Sequence, residues 1–396
     1  MVYFIAIIFS FLALLHTYLI FPLYVSLKYK NLKPNGSKFS QTIYPHISII
    51  MSVYNEELVL EEKLATISSS NYPKDKLNVF IGSDNSTDKS NGIISSHKSP
   101  FSIFFFPFGK RRGKTNVINN LVEEALNIFP QQKDHILIFT DANVLINEDT
   151  IKELVQPFAD QEVDLVDANM IPLGLGNKGI SRAEGMYINL ESQLKFQEGR
   201  IWGMTMGPFG GCFALRSTAF KAIPSYLVVD DLYLALDVLT KGKKVITSLD
   251  SKCFEKVSSL IYEELKRKIR ISSGNWQLVR KFPQIWFPPF NSTLSFIFIS
   301  HKFFRWLSPF FILIIYLAFM LWQGSGNPIA SYIFIGLNFI LIIPFFLDQI
   351  FTLFKIPFFL PRKVHYFLVM NFGLLLGFLK YLSGLNSNIW EPPNRK

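Results

Sequence analysis

The fold is decided by a short stretch, residues 136–141, which reads ILIFTD. An apolar run that ends directly in an acid is typical of a buried strand whose carboxyl end carries a polar side chain. A second stretch, NVFIGSD at residues 78–84, repeats this pattern. In open parallel sheets ligands bind outside the carboxyl ends of the strands, so Asp84 and Asp141 are predicted to converge on one crevice. Taken singly, an acid at a strand end is more often a turn former.

The surrounding sequence, residues 45–281, predicts an α/β catalytic domain with a parallel sheet. Short apolar runs bounded by turn residues alternate there with helix-like stretches, which is the sequence form of such a sheet. Helices are expected after Asn55, Asp88 and Gly113. The predicted strands are 47–53, 78–82, 102–106 and 136–140.

The two ends of the chain are apolar and predict membrane spans. Residues 2–27 carry no charge, and this length exceeds the roughly 20 residues that cross a bilayer core, so residues 1–28 form the first predicted span. A cleaved signal peptide is the alternative, but no basic segment precedes the run and no cleavage pattern follows it. Three further spans are predicted within 305–384, near 306–322, 329–354 and 364–382. Asp348 is expected to face protein or an interface.

Charge and cysteine content limit the cellular location and the binding partners that the sequence allows. The net charge of +10 comes without a basic stripe interleaved with aromatics, which favours membrane lipids and nucleotide phosphates over nucleic acid. The two cysteines lack metal-ligand spacing and indicate a reducing compartment. Basic residues flank the spans on one side, and this predicts a multi-pass protein of the cell membrane with a cytoplasmic central domain. These residues are Lys28, Lys30, Lys33, Lys38, Lys355, Arg362 and Lys363. The proline-interrupted segment 282–304 is predicted to be interfacial.

Four ordered motifs resemble those of family 2 glycosyltransferases. They read SVYNEE at 52–57, SDNSTD at 83–88, TDAN at 140–143 and DDL at 230–232, and the resemblance covers about residues 45–280. It implies a GT-A (Rossmann-like) fold, a nucleotide-diphosphate sugar donor and a divalent cation, Mg²⁺ or Mn²⁺, bridging the diphosphate. The flanking spans resemble the membrane-bound branch that makes polysaccharides and glycolipids. The implied activity is that of an inverting hexosyltransferase with a saccharide or lipid acceptor, and a bacterial enzyme is favoured.

The resemblance also implies donor and metal residues. Asp84, Asn55, Glu56 and Lys114 match positions that contact the nucleotide, although an acid such as Glu56 also suits the first turn of a helix. Asp141 matches the first acid of the family's Asp-x-Asp motif and would bind the donor or the metal. Asn143 stands at the second position of that motif, where its amide oxygen is a ligand without charge.

Asp231 is the predicted general base, because DDL at 230–232 resembles the family's Thr-Glu-Asp motif. Asp230 is the alternative base, or else the N-cap of the following helix. Arg270 remains from a Gln-x-x-Arg-Trp motif and suits the departing diphosphate, while the basic run around it also suits lipid headgroups. Trp276 is predicted to stack on a sugar.

The glycine-rich segment 207–216 resembles the family's acceptor loop, with Gly210, Gly211 and Cys212 as predicted acceptor contacts. A simple glycine-rich turn is the alternative interpretation. The sequence GKRRGKT at 109–115 resembles a P-loop, but three residues separate its glycines where four are required. Two other functions stay open: a catalytically inactive scaffold of the same fold, and a membrane transporter with a regulatory nucleotide-binding domain, which would need paired polar residues in its spans.

Overall fold

The computed structural model describes residues 2–32, 42–129, 134–174, 181–256, 260–354 and 360–384, and the chain divides into two compact units. The sheet unit comprises Lys28–Gly174 and Ile188–Val257. The helical unit comprises Met1–Leu27, Leu175–Tyr187 and Ser258–Leu385. Lys33, Lys38 and Lys355, which contributed to the predicted orientation, lie outside the described residues.

The sheet unit is built on an eight-stranded sheet with the order β3-β2-β1-β4-β7-β6-β8-β5. Long apolar strands with buried side chains form its core. The strands are β1 His46–Val53, β2 Leu77–Ser83, β3 Ser102–Pro107, β4 His135–Thr140, β5 Leu145–Ile146, β6 Val163–Leu173, β7 Cys212–Arg216 and β8 Lys244–Lys256.

Strand direction divides the sheet into two halves. Strands β1 to β4 are mutually parallel and contain the four predicted strands, which are confirmed. The prediction of a parallel sheet is wrong beyond β4, because β7 runs antiparallel to both β4 and β6 while β6 and β8 are parallel. The prediction failed because β7 pairs between β4 and β6. These segments are distant along the chain, and no local sequence pattern encodes their relative direction.

The helices of the sheet unit cover the parallel strands and follow the predicted positions after Asn55, Asp88 and Gly113. Leu60, Leu64 and Ile67 of the first of these pack into the core with the apolar faces of the strands. The helices are α2 Leu60–Ser68, α3 Ser90–Ser96, α4 Lys114–Ile128, α5 Thr150–Val155 and α7 Asp230–Thr240, and α6 Ser181–Trp202 begins in the helical unit and continues into the sheet unit.

The helical unit has four helices, within the described residues, that are long and apolar enough to cross a membrane. They are α1 Val2–Lys30, α10 Thr293–Gln323, α11 Pro328–Leu353 and α12 Leu360–Leu382. The unit also contains α8 Ile261–Lys281 and the short α9 Pro283–Trp286. The predicted arrangement of one N-terminal and three C-terminal spans is confirmed. The first of the three C-terminal helices begins at Thr293, ahead of the predicted 306, so part of the predicted interfacial segment 282–304 belongs to this helix.

Asp348, an acid inside a candidate span, is paired with basic side chains. Asp348 of α11 accepts hydrogen bonds from Arg362 Nε at 2.9 Å and contacts His365 Nδ1 at 2.8 Å, both on α12. This burial against protein is what the sequence predicted for Asp348. Helix α8 packs closely on α12, where Ser272 Oγ donates to the Leu374 carbonyl at 2.8 Å. A Cβ on Gly377 would lie 2.3 Å from Ser272 Cβ, so the crossing requires glycine there.

Candidate active site

Three predicted site residues of the sheet unit follow strand ends that lie side by side. Asp84 follows β2 and Asp141 follows β4, while Asn55 lies two residues beyond the end of β1 between them. Because these three strands are parallel neighbours, their carboxyl ends meet at one edge of the sheet. The predicted convergence of Asp84 and Asp141 on one edge is therefore confirmed.

Asp84 is a buried acid that anchors the loop before α4. Its carboxylate accepts hydrogen bonds from the backbone N–H of Arg112 at 2.6 Å and of Gly113 at 3.0 Å. Arg111 donates from Nε at 3.2 Å, and its guanidinium stacks on Tyr54 with 3.3 Å to the ring centroid. Backbone N–H groups of this loop therefore bind a carboxylate of the protein itself, which argues against the P-loop alternative. Sequence reasoning missed Arg111.

Asn55 and Glu56 connect the end of β1 to the segment before α3. Asn55 adopts a left-handed backbone with φ of 51°, and its Oδ1 accepts the N–H of Thr87 at 2.9 Å. Glu56 is buried, and its backbone N–H donates to Ser90 Oγ at 2.9 Å. Helix α2 begins only at Leu60, so Glu56 does not lie in its first turn and the helix-dipole alternative is wrong. Contacts of either residue with a nucleotide stay a prediction.

Lys114, the first residue of α4, forms ion pairs with two of the predicted acids. Its Nζ lies 2.8 Å from Asp141 Oδ1 and 3.6 Å from Asp230 Oδ2. Burial by itself would lower the pKa of Lys114, but the two carboxylates outweigh it and raise the pKa above its usual range. The ammonium therefore stays charged at any physiological pH and holds together two acids that would otherwise repel each other.

Asp231 has the protonation behaviour expected of a general base. It lies in the first turn of α7 and is half-buried. Burial, followed by the negative charge of Asp230, raises the pKa of Asp231 to about 7. A carboxyl group with a pKa near the working pH accepts and returns protons readily. The N-cap of α7 is Val229, so the alternative in which Asp230 caps the helix is wrong.

The glycine segment passes directly beside Asp231. Gly207 and Gly210 have φ of 82° and 84°, a backbone region that side-chain-bearing residues rarely adopt. A Cβ on Gly210 would lie 2.6 Å from Asp231 Oδ2. The Gly211 carbonyl accepts the N–H of Asp141 at 3.0 Å, which connects this segment to the acid that follows β4. The simple-turn alternative does not account for this approach to Asp231.

Cys212 does not fit its predicted role at the acceptor. It is the first residue of β7 and is only 3% exposed, within the hydrophobic core and on the same side as Lys63. A side chain in the core cannot contact an acceptor, so the prediction for its thiol is wrong. Cys212 and Cys253 are both free and buried.

The donor set around Asp141 suits a hard cation. The Asp141 side chain is 38% exposed, and Asn143 donates from Nδ2 to Glu255 Oε1 at 2.9 Å, which leaves the Asn143 amide oxygen as a possible ligand. Carboxylate and amide oxygens are ligands that Mg²⁺ and Mn²⁺ accept. Across the described residues, no group of three His, Cys, Asp or Glu side chains forms a complete metal cage. The residues fit a cation whose remaining ligands come from a bound diphosphate. Sequence reasoning missed Glu255.

Arg270 and Trp276 lie on α8, in the helical unit. Trp276 packs edge-on against Phe378, with 4.8 Å between ring centroids, and also contacts Phe303 and Phe310. These contacts give Trp276 a packing role among the helices. The predicted roles of Arg270 at the diphosphate and of Trp276 at a sugar stay predictions.

Comparison with known proteins identifies the family. The model of glycosyl transferase family 2 matches residues 48–223, and that of glycosyl transferase family group 2 matches residues 136–324. Together they cover residues 48–324, which include all of the sheet except the first two residues of β1 and every residue of the site described above in the sheet unit. The chain belongs to glycosyltransferase family 2. The family that the four motifs predicted is confirmed.

Individual relatives of this family 2 chain are distant. The β-monoglucosyldiacylglycerol synthase of Synechocystis is 24% identical over 204 residues, which are 49% of this chain and 40% of the synthase. The probable glycosyltransferase YdaM of Bacillus subtilis is 26% identical over 85 residues, 20% of each chain. The chain thus matches two fifths or less of the length of these relatives.

A solved structure shares the fold over nearly the whole length. The mannosyltransferase PcManGT of Pyrobaculum calidifontis, solved in complex with GDP-Man and Mn²⁺, matches with a TM-score of 0.70 at 21% identity. The match covers 96% of this chain and 99% of PcManGT. The predicted fold class, a GT-A domain with an N-terminal and three C-terminal candidate spans, is confirmed.

Proposed function

We propose that this chain is an inverting glycosyltransferase that moves a hexosyl group from a nucleotide-diphosphate sugar to an acceptor hydroxyl. The observation that carries the proposal is Asp231, whose pKa is raised to about 7 beside the Asp141–Lys114–Asp230 ion pairs. Family membership supports it, as does the likeness of the fold to PcManGT, which binds GDP-Man and Mn²⁺. An inactive scaffold would have no need of a base with this pKa at the site.

In the proposed reaction Asp231 accepts the proton of the acceptor hydroxyl as its oxygen attacks the anomeric carbon. The bond between that carbon and the diphosphate breaks as the new glycosidic bond forms on the opposite face, so configuration inverts. The nucleoside diphosphate leaves with the bonding electrons. Lys114 offsets part of its negative charge, because its ammonium already lies between Asp141 and Asp230 at this edge of the sheet.

A divalent cation is part of the proposal. Asp141 and Asn143 would hold Mg²⁺ or Mn²⁺, and the bound ion would neutralise charge on the diphosphate. Asn143 supplies a neutral ligand where a second acid would add charge. Binding of the ion is therefore expected to depend strongly on the donor diphosphate being present.

The proposed acceptor and location rest on the four candidate spans and on the function of one relative. Four candidate membrane spans would place the chain in a membrane, and the Synechocystis relative is a synthase of a glycolipid. We propose a multi-pass protein of the cell membrane with the sheet unit on the cytoplasmic face, acting on a lipid or a membrane-associated saccharide. The basic residues flanking the spans support this orientation.

The test uses the full chain purified in detergent, a panel of GDP- and UDP-sugars, and a lipid extract as acceptor. Release of one nucleoside diphosphate with Mn²⁺ or Mg²⁺, abolished by EDTA, is expected together with a product whose anomeric configuration is opposite to that of the donor. Retained configuration would reject inversion. Turnover of no donor would favour the scaffold or transporter alternatives.

A further inference from the structure

Lys63 on α2 is a fully buried lysine with an unusual set of partners. Its side chain has no exposed surface, and its Nζ donates to Thr140 Oγ1 at 2.8 Å and to the Val144 carbonyl at 2.5 Å. Both partners are uncharged. Buried lysines are rare and usually paired with an acid, as Lys195 is with Asp167 at 2.6 Å in the same unit. A buried ammonium held by two neutral oxygens therefore needs another reason to be there.

The two partners of Lys63 bracket the turn that carries the candidate metal ligands. Thr140 is the last residue of β4 and Val144 directly precedes β5, so Asp141, Ala142 and Asn143 lie between them. The turn is also closed by the N–H of Val144, which donates to the Asp141 carbonyl at 3.3 Å. The ammonium of Lys63 thus forms hydrogen bonds with the residues at both ends of this turn.

The same hydrogen bonds continue to the glycine segment. Thr140 accepts from Lys63 and donates from Oγ1 to the Gly211 carbonyl at 3.1 Å, an oxygen that also accepts the N–H of Asp141. Gly210, the preceding residue, is the one that lies against Asp231. The donor-side turn and the backbone beside the predicted base are therefore connected through Lys63 and Thr140.

We propose that Lys63 is a positioning residue that fixes the Asp141-Ala142-Asn143 turn relative to the glycine segment at 207–211, without contacting donor or acceptor. This inference rests on the proposed function. Burial lowers the pKa of Lys63 to about 8, while the nearby Cys212, Cys253 and Asp141 partly offset this effect. The amine thus keeps its proton at neutral pH.

The test compares Lys63→Met with Ile67→Ala. Both residues lie on α2, are fully buried and line the same small cavity under β4, but only Lys63 bonds to the turn. With the donor found above, Lys63→Met is expected to raise the Mn²⁺ concentration for half-maximal activity by roughly 10- to 100-fold, because the ligands are misplaced. Ile67→Ala is expected to leave this concentration unchanged while lowering stability.

A second measurement does not depend on activity. Amide hydrogen exchange in peptides covering 140–144 and 209–212 is expected to accelerate in Lys63→Met and to stay at the wild-type rate in Ile67→Ala. Thr140→Val removes one of the two Lys63 hydrogen bonds together with the bond from Thr140 Oγ1 to the Gly211 carbonyl, and it keeps the shape of the side chain. This variant is expected to accelerate exchange in the same two segments to a smaller extent. It replaces Lys63→Met in the comparison if Lys63→Met does not fold.

The outcomes separate the two proposals. Exchange and Mn²⁺ dependence in Lys63→Met that match Ile67→Ala would overturn the role of Lys63, even with an active wild type. Wild-type protein that turns over no nucleotide sugar would reject the proposed function instead. In that case the exchange comparison alone decides whether Lys63 orders the two segments.

Discussion

The two halves of the sheet are held in place by different means. One half, β1 to β4, carries the predicted donor residues and is called the donor-side half; its strands are parallel, and Asn55, Asp84 and Asp141 follow their carboxyl ends. The other half, β6 to β8, adjoins the predicted acceptor segment and is called the acceptor-side half; it has mixed strand directions and a register irregularity between Ala168 and Asn169. It also contains a fully buried ion pair, in which Lys195 Nζ lies 2.6 Å from Asp167 Oδ2.

The buried ion pair between Lys195 and Asp167 contacts the glycine segment at Phe209. Asp167 Oδ1 accepts the N–H of Phe209 at 3.2 Å, and the ammonium of Lys195 lies 3.5 Å from the centroid of the Phe209 ring. The predicted donor residues directly follow strand ends and are held further by Lys63 and the loop before α4, whereas the segment beside Asp231 is fixed by charges from β6 and α6. The positions of the donor-side acids therefore follow from a local sequence pattern, whereas the acceptor-side backbone depends on contacts between distant segments.

The largest effect is expected from breaking this pair with Lys195→Met. The substitution leaves Asp167 as an uncompensated buried charge, and the free energy of unfolding should fall by about 3–5 kcal/mol. Lys244→Met is the matched control, because Lys244 pairs with Asp160 at 2.8 Å with both side chains about two fifths exposed. Lys244→Met should lower the free energy of unfolding by less than about 1 kcal/mol. Thermal unfolding in detergent measures the stability of both variants. Equal losses of stability would mean that the buried ion pair contributes no more than the exposed one.

A smaller effect, about 100-fold in kcat, is expected from Gly210→Ala. The new Cβ would contact Asp231 Oδ2 at 2.6 Å and displace the predicted base. Gly242→Ala is the control, since Gly242 has a similar positive φ of 75° and its Cβ would meet nothing within 4 Å. Both variants carry the backbone strain, but only the first changes the site. Similar kcat values for the two variants would show that strain alone matters.

The smallest effect is a shift in pH dependence. Because the base acts when deprotonated, kcat/KM of the wild type should rise with pH through about 7, the pKa of Asp231. Asp230→Asn removes the negative charge that raises this pKa, so the rise should move to lower pH. Lys114→Met removes a positive charge that lowers it, so the rise should move to higher pH. Shifts in the same direction in both variants would contradict the assignment.

The sequence predicted the donor-side half well because its pattern is local. Each of its four strands is a short apolar run ended by turn residues, and the acids at their ends could be placed from strand direction alone. Arg111 was missed because its stack on Tyr54 joins two loops that are distant along the chain. Lys63 was missed as well, since its neighbours Glu61 and Glu62 are exposed and nothing local marks the lysine as buried.

The acceptor-side half was predicted less well for physical reasons. All five residues of β7 are buried, so no alternation indicates which side chains face the site, and Cys212 was predicted to contact the acceptor although it lies in the core. Its orientation follows from the pairing of Cys212 with Thr140 across β4 and β7. Only the glycines and the acids at 230–231 carried a local signal there, and the approach of Gly210 to Asp231 is a contact between two distant segments.

The most direct test of the account is sugar transfer by Asp231→Asn measured beside Asp230→Asn, with the donor and acceptor that the wild type uses. We predict that Asp231→Asn lowers kcat by about 100- to 10,000-fold with little change in donor KM, because only proton acceptance is lost. Asp230→Asn should retain substantial turnover. Near wild-type transfer by Asp231→Asn, together with loss of transfer in Asp230→Asn, would contradict the assignment of Asp231 as the base.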